Sequence, residues 1–123
     1  MHSPAFLVGR LMNLTDRLHM KYCEHVRDNS FPPQLVGNAL MATALEQPLK
    51  GLELLSQRIL PYQAWAMTLK GEGQDIGLVK YFLAQIGEVC NNLEKLELPP
   101  QCSSAEKAQM LLGYLAWQEK GTQ

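Results

Sequence analysis

The apolar positions of this chain recur every three or four residues, which is the spacing of one face of an α-helix. The longest segment with this period covers residues 4–28, where Leu7, Leu11 and Leu14 start a row along one side. Because no segment alternates apolar and polar residues over the length of a strand, the pattern predicts helices and no sheet. Shorter segments with the helical period cover residues 33–45, 48–59, 62–69, 76–96 and 103–120.

Prolines mark most of the expected helix boundaries. Pro4 suits the first turn of the first helix, where a missing N–H costs nothing. Pro61 is expected to end or kink the third helix, so that residues 62–69 form a shorter helix of their own. Ser103 and Glu106 have the spacing of a capping box at the start of the last helix. We predict an all-α bundle of five or six helices with short, proline-marked connections, in which consecutive helices are antiparallel neighbours.

The last helix has a clear row of apolar residues. Its leucines and alanines are spaced by three or four residues, and such a row is typical of a buried helix face. Tyr114 and Trp117 lie beside it. The residues of this row are Ala108, Leu111, Leu112, Leu115 and Ala116.

Length and composition limit the class of protein. The chain has 123 residues, enough for one domain with a real core, and we assign residues 1–123 to a single helical domain. Its three cysteines, Cys23, Cys90 and Cys102, lack C-x-x-C spacing, which argues against a disulfide framework and for a reducing compartment. No apolar run is long enough to span a bilayer and the N-terminus does not resemble a signal peptide, so we expect a cytoplasmic location.

Charge offers the main functional candidate. The net charge of −1 excludes a protein that is basic throughout, although it does not exclude a local basic face. Arg10, Arg17 and Lys21 lie within about 40° of one another around the first helix, on its expected exposed side. Such a row can contact successive phosphates of a nucleic acid without reading its bases. The simpler interpretation is a solvated helix face balanced by nearby acidic residues, and spacing alone leaves both open.

Other basic and aromatic residues extend this candidate surface only if the fold brings them to the same side. Trp65, Tyr114 and Trp117 can stack on bases, but their spacing among leucines is more typical of a core. The candidate nucleic-acid-binding residues are Arg10, Arg17, Lys21, Arg27, Lys50 and Arg58, with Lys70 and Lys80 as further basic positions.

The sequence offers little for metal binding or catalysis. His19 and Cys23 are four residues apart and could chelate, but a zinc site needs a third protein ligand, so a core cysteine and a boundary histidine are the simpler interpretation. Gly71 and Gly73 follow no strand, which does not support a phosphate-binding loop. No nucleophile motif is present. We assign no catalytic residue, metal or cofactor.

Several motifs, in order along the chain, resemble one known family. Residues 5–12 read Ala-Phe-Leu-Val-Gly-Arg-Leu-Met, and they resemble the aromatic-Leu-x-Gly-Arg-Leu opening of the C-terminal helical region of the large subunit in type I-C CRISPR surveillance complexes (Cascade). Residues 32–35, Pro-Pro-Gln-Leu, match a Pro-x-x-Leu helix start. Residues 99–106 and 112–114 match its later proline, Ser-Glu and Leu-Gly-Tyr motifs. The tail that follows departs from the family pattern, because it contains no histidine.

This resemblance implies a role in RNA-guided defence. In the family, the C-terminal helical region is also made as a separate small subunit by internal initiation of translation, and a chain that starts at Met1 just before this motif fits such a product. The resemblance implies a non-catalytic subunit, present in several copies, that contacts the backbone and large subunits. It would stabilise DNA strands of the R-loop that forms against the guide RNA. Gly9 and Arg10 carry over as matched motif positions.

Three hypotheses follow from the sequence. The first is a Cascade-type small subunit that contacts target DNA through the basic row. The second is a helical adaptor that binds only protein, for which reversing the charge of Arg10, Arg17 and Lys21 would leave DNA binding by the assembled complex unchanged. The third is a small helical enzyme, which predicts a bound metal or cofactor that elemental analysis would detect.

Overall fold

The computed structural model describes residues 3–26, 34–71 and 73–121, apart from the side chains of residues 26, 74 and 116–121. Within these ranges the chain forms α-helices and the segments that connect them, and no strand. This confirms the all-α prediction. The helices are α1 (Pro4–Val26), α2 (Val36–Glu46), α3 (Pro48–Thr68), α4 (Gln74–Glu94) and α5 (Ser104–Gly121).

α1 is the central helix, and each of the other four packs against it. Leu11, Leu14 and Leu18 on its apolar face are fully buried. Asn13 and Asp16 on its other faces are also buried, because α5 packs on Asn13 while α2 and α5 both contact Asp16. The expectation that α1 has an exposed basic side is therefore wrong, and its basic row is partly buried between helices.

α3 is one continuous helix, and the prediction of a separate helix over 62–69 is wrong. Pro61 lies inside α3 on its exposed side. The carbonyl that loses its partner there belongs to Gln57, which is also exposed, so water can satisfy it. Beyond the proline, Ala66 is fully buried and packs in the core, which holds the second half of α3 in place.

α2 begins at Val36, three residues later than the start predicted at Pro33. Leu35, its N-cap, is extended and offers no capping side chain. The missing cap comes from α1, because the carboxylate of Asp16 accepts the backbone N–H groups of Gly37 at 2.5 Å and Asn38 at 3.0 Å. A cap from another helix fixes where α2 can start. Pro33 itself lies outside the described residues.

α5 crosses α1 at a pair of glycines. A methyl group added to Gly9 would overlap the carbonyl oxygen of Met110, and one added to Gly113 would overlap that of Phe6. Two backbones can approach this closely only where neither helix carries a Cβ. α4 and α5 make almost no contact with each other, so the prediction that consecutive helices are neighbours is wrong for this pair.

The start of α5 was predicted from the sequence, but the face that α5 buries was not. The capping box is confirmed, because Ser103 N–H donates to Glu106 Oε1 at 2.8 Å and Glu106 N–H donates to Ser103 Oγ at 3.2 Å. α5 buries Met110 and Gly113 against α1 and turns three leucines of its apolar row outward. The outward residues, called here the leucine stripe, are Leu111, Leu112 and Leu115, which are 41%, 51% and 56% exposed.

None of the described helices is both long and apolar enough to cross a bilayer.

Candidate nucleic-acid interface

The basic row of Arg10, Arg17 and Lys21 lies along the contact between α1 and α4. The Nη2 of Arg10 donates to Oε1 of Gln85 at 3.0 Å, and the Nζ of Lys21 donates to Oδ1 of Asp75 at 2.8 Å. Residue numbers rise along α1 as they fall along α4, so the two helices are antiparallel here. The row is therefore a seam between two helices rather than an open face.

Arg10 forms one end of this seam, and a neutral side chain holds it. Gln85 is its partner on α4, and within the described part of the chain Arg10 makes no ion pair with a carboxylate. Its Nε is buried and has no hydrogen-bond partner among the described residues. An amide oxygen orients the guanidinium but does not neutralise it, so this end of the row keeps a full positive charge.

Lys21 forms the opposite end, and acidic residues offset its charge. Its Nζ contacts Asp75 at 2.8 Å and Glu24 at 3.5 Å. Burial alone would lower the pKa of Lys21, but these carboxylates outweigh it and raise that pKa above its ordinary value. His25 also contacts Asp75, at 2.9 Å, and the hydrogen bonds from Lys21 and His25 lower the pKa of Asp75. This end binds α1 to α4 and contributes little net charge.

Arg17 lies between these ends, beside an open groove of about 220 Å³. Its Nε donates to Oδ1 of Asn13 at 3.4 Å, and burial lowers its pKa. An arginine remains charged after such a shift. The described residues that line this α1–α4 groove are Arg17, Met20, Lys21, Glu24, Leu78 and Phe82.

A buried polar network supports the seam from the side of α5. Asp16 accepts the hydroxyl hydrogen of Tyr114 at 2.5 Å, while Asn13 donates to the backbone carbonyl of Tyr114 at 2.7 Å. Burial raises the pKa of Asp16, although its three hydrogen bonds oppose this, and burial together with the bond to Asp16 raises the pKa of Tyr114. Asn13 also contacts Arg17, so the network fixes the middle of the basic row.

The remaining predicted basic residues are not gathered at this seam. Lys50 and Arg58 are exposed on α3, where their spacing of eight residues separates them by about 80° around the helix. Lys80 is exposed on α4, and its position is turned away from that of Gln85 by well over 90°. Lys70 is exposed just after α3. Arg27 lies outside the described residues.

The candidate aromatic platforms have internal partners where the structure describes them. The Trp65 ring meets Tyr22 edge to face, with centroids 5.5 Å apart, and packs against the core. The hydroxyl of Tyr114 is bound to Asp16. The side chain of Trp117 lies outside the described part. Tyr81 is the exposed aromatic residue that sequence reasoning missed, at 47% exposure on α4, close to Leu78 around that helix.

The candidate chelating pair is built into the helix packing. His19 stacks on Tyr62 at a centroid distance of 4.4 Å and its Nε2 lies 3.2 Å from the Tyr62 hydroxyl, while Cys23 is buried. Across the described part of the chain, no three His, Cys, Asp or Glu side chains are grouped so that they could hold a metal ion.

Gln85 and Asn13 are the positioning residues that the sequence did not identify. Neither residue type stands out within an amphipathic pattern, and their role depends on which helix packs beside α1.

Comparisons of the chain with protein-family models, with curated proteins and with solved structures found no match.

Proposed function

We propose that this chain is the non-catalytic small subunit of a type I CRISPR RNA-guided surveillance complex. In this role it acts in the cytoplasm, next to further copies of itself, and contacts the backbone and large subunits. It binds DNA strands of the R-loop that forms on the guide RNA. Two observations support the proposal: the ordered motifs along the chain, and the position of Arg10, which belongs to the first of those motifs.

Arg10 is the observation that carries the nucleic-acid part of the proposal. A neutral amide holds its guanidinium, and no carboxylate of the described residues pairs with it. A guanidinium presents five donors in a planar fork that matches phosphate oxygens, and one of them reaches Gln85. We assign phosphate binding first to Arg10, then to Arg17 beside the α1–α4 groove. Lys21 contributes less, because two carboxylates already pair with it.

A subunit with few phosphate contacts suits this task. Exchanging a DNA duplex for an RNA–DNA heteroduplex is nearly balanced in free energy, so modest contacts to the backbone shift the equilibrium. Repeated copies along the complex add such contacts through multivalency. A near-neutral protein that offers few phosphate contacts is weak alone and avoids unspecific binding to nucleic acid.

The test is R-loop formation on matched double-stranded DNA by guide-loaded complex prepared without this chain. Wild type, Arg10→Gln and the control Lys80→Gln are then added back. Lys80→Gln removes the same charge from an exposed position away from the seam. We expect R-loop formation to fail without the chain and to recover with wild type and Lys80→Gln. Arg10→Gln should require about tenfold more DNA, as expected for one lost charge-assisted contact.

Two results would contradict parts of this proposal. Full R-loop formation without the chain would exclude the small-subunit role. Equal rescue by Arg10→Gln, with its helix content unchanged by circular dichroism, would remove Arg10 from the DNA contact. Incorporation of each variant into the complex is measured in the same preparations, so that failure to assemble is separated from failure to bind DNA.

A helical adaptor that binds only protein is the second candidate, and the leucine stripe favours it. Three large leucines on one outward face of α5 form an apolar patch of the kind found at protein interfaces. The adaptor hypothesis predicts that Leu111→Ser/Leu115→Ser prevents incorporation into the complex while Arg10→Gln has no effect on DNA binding. Both substitutions are at exposed positions, so the fold should tolerate them.

A further inference from the structure

α3 and α4 separate toward one end of the molecule and leave an open groove there. The two helices follow each other closely in sequence but make few contacts, because α3 packs on α2 and α1 while α4 packs mainly on α1. The separation is at the start of α3 and the end of α4. Two adjoining depressions of about 280 and 370 Å³ share Leu52, Leu93 and Glu94 and together form this α3–α4 groove.

The floor and walls of the α3–α4 groove are apolar. Leu93 is buried at the base and Leu52 is partly buried, while Leu49 and Leu96 at the sides are 56% and 36% exposed. The groove is open to solvent, unlike an internal cavity. Covering these side chains would remove apolar surface from water, which is favourable.

The charged residues at the groove are acidic. Glu94 and Glu97 are exposed and line it, whereas the described lining residues include no lysine, arginine or histidine. Lys95 lies between them in sequence but does not line the groove. An apolar floor with an acidic rim is complementary to a segment that has both leucine-like and basic side chains.

The dimensions fit a helix. Leu49 and Ser56 line the groove along α3, and their seven-residue separation corresponds to about 10 Å, or two helical turns. Anchors at positions i and i+7 of a docked helix have the same separation. Lysine and arginine stems can lie along the leucines of the groove while their charged ends reach the rim.

We propose that the α3–α4 groove binds a basic amphipathic helix of a partner protein. The apolar side chains of that helix lie on Leu52 and Leu93, and its lysines or arginines pair with Glu94 and Glu97. This inference rests on the groove alone, so it stands or falls separately from the DNA-binding role of Arg10.

The probe is a fluorescein-labelled synthetic peptide of about 14 residues, long enough to form a helix on binding, with leucines at i, i+3, i+4 and i+7 and lysines elsewhere. A matched peptide carries glutamates in place of the lysines. Binding to the full chain is measured by fluorescence anisotropy. We expect the lysine peptide to bind and the glutamate peptide to bind at least tenfold more weakly.

Matched variants locate the site. Glu94→Lys should weaken binding of the lysine peptide about tenfold, while Glu88→Lys, the same change on the outer face of α4, should leave it within twofold. Leu49→Ser should weaken binding about fivefold, while Leu60→Ser, an exposed position farther along α3, should not. All four positions are exposed, so the fold is kept, which circular dichroism checks.

The proposal is overturned if both peptides bind equally, if Glu94→Lys and Glu88→Lys behave alike, or if the lysine peptide does not bind the wild type. It is also overturned if sedimentation shows that the wild type self-associates and Glu94→Lys does not. That last result would assign the groove to a second copy of this chain.

Discussion

At the scale of single residues, Asp16 shows that the role of an acidic residue depends on which helices pack around it. Along the helix it looks like one of the acidic residues that balance a solvated basic face. In the fold it is buried, caps the start of α2 and accepts the hydroxyl of Tyr114. A signal for this exists in the sequence, because α2 has no capping residue of its own and its first N–H groups need an acceptor. The sequence does not reveal which residue supplies it.

The Asp16–Tyr114 bond predicts a stability loss on removal of one hydroxyl. Tyr114→Phe leaves the buried carboxylate with only its backbone donors and should lower the free energy of unfolding by about 1–3 kcal/mol. Tyr22→Phe keeps the ring contacts of Tyr22 and removes a hydroxyl that makes no hydrogen bond within the described residues, so this control should change it by less than about 0.5 kcal/mol. Urea unfolding followed by circular dichroism measures both. Equal losses in the two variants would show that the Asp16–Tyr114 bond contributes no stability.

Asp75 gives a prediction for pH. Its contacts with Lys21 and His25 lower its pKa below the ordinary 3.8, so its ionised form stabilises the fold. This stability is present above about pH 4 and is lost as the pH falls through the lowered pKa of Asp75. At pH 7 the free energy of unfolding of the wild type should exceed that of Asp75→Asn by less than about 1 kcal/mol, because the side chain of Asp75 is exposed to water. Urea titrations should show the difference shrinking below pH 3.8, and a difference that grows there would contradict this assignment.

At the scale of helices, periodicity predicted where most helices lie but not which face each one buries. α5 has two apolar sides, and its leucine row is the more conspicuous in sequence. The side that packs on α1 is the one with Gly113, because paired glycines let the two backbones approach. Gly9, a matched motif position in the sequence, lies against α5. Pro61 was predicted to end or kink the third helix, but it lies at an exposed position inside α3, where the helix can continue.

Replacing glycine by alanine should have opposite effects on stability at the α1–α5 crossing and at an open position of α4. Gly9→Ala places a methyl group on the Met110 carbonyl and should destabilise the fold by about 1–3 kcal/mol. Gly87→Ala has no atom within 4 Å of the new Cβ and should stabilise α4 by up to about 1 kcal/mol. Thermal unfolding of the two variants checks the signs. A stabilising Gly9→Ala would mean that α1 and α5 do not cross at these glycines.

At the scale of the whole molecule, the position of α1 at the centre determines which surfaces remain. α1 packs against each of the other four helices. The seam with α4, the leucine stripe of α5 and the α3–α4 groove remain at the surface. Sequence alone predicted the helices and the basic row. It could not predict that α4 covers that row or that Gln85 holds Arg10, because both depend on contacts between residues about 75 positions apart.

Three separate surfaces on a small helical protein are consistent with a subunit that has several neighbours. The measurement that tests the central claim most directly is the salt dependence of DNA binding by the assembled complex, with wild type, Arg10→Gln or Lys80→Gln in place. Each phosphate contact contributes about 0.7–0.9 to the slope of log K against log salt concentration. We predict that Arg10→Gln reduces the slope by at least that amount, multiplied by the copies present, while Lys80→Gln does not. An unchanged slope for Arg10→Gln in fully assembled complex would contradict the assignment of phosphate binding to this seam.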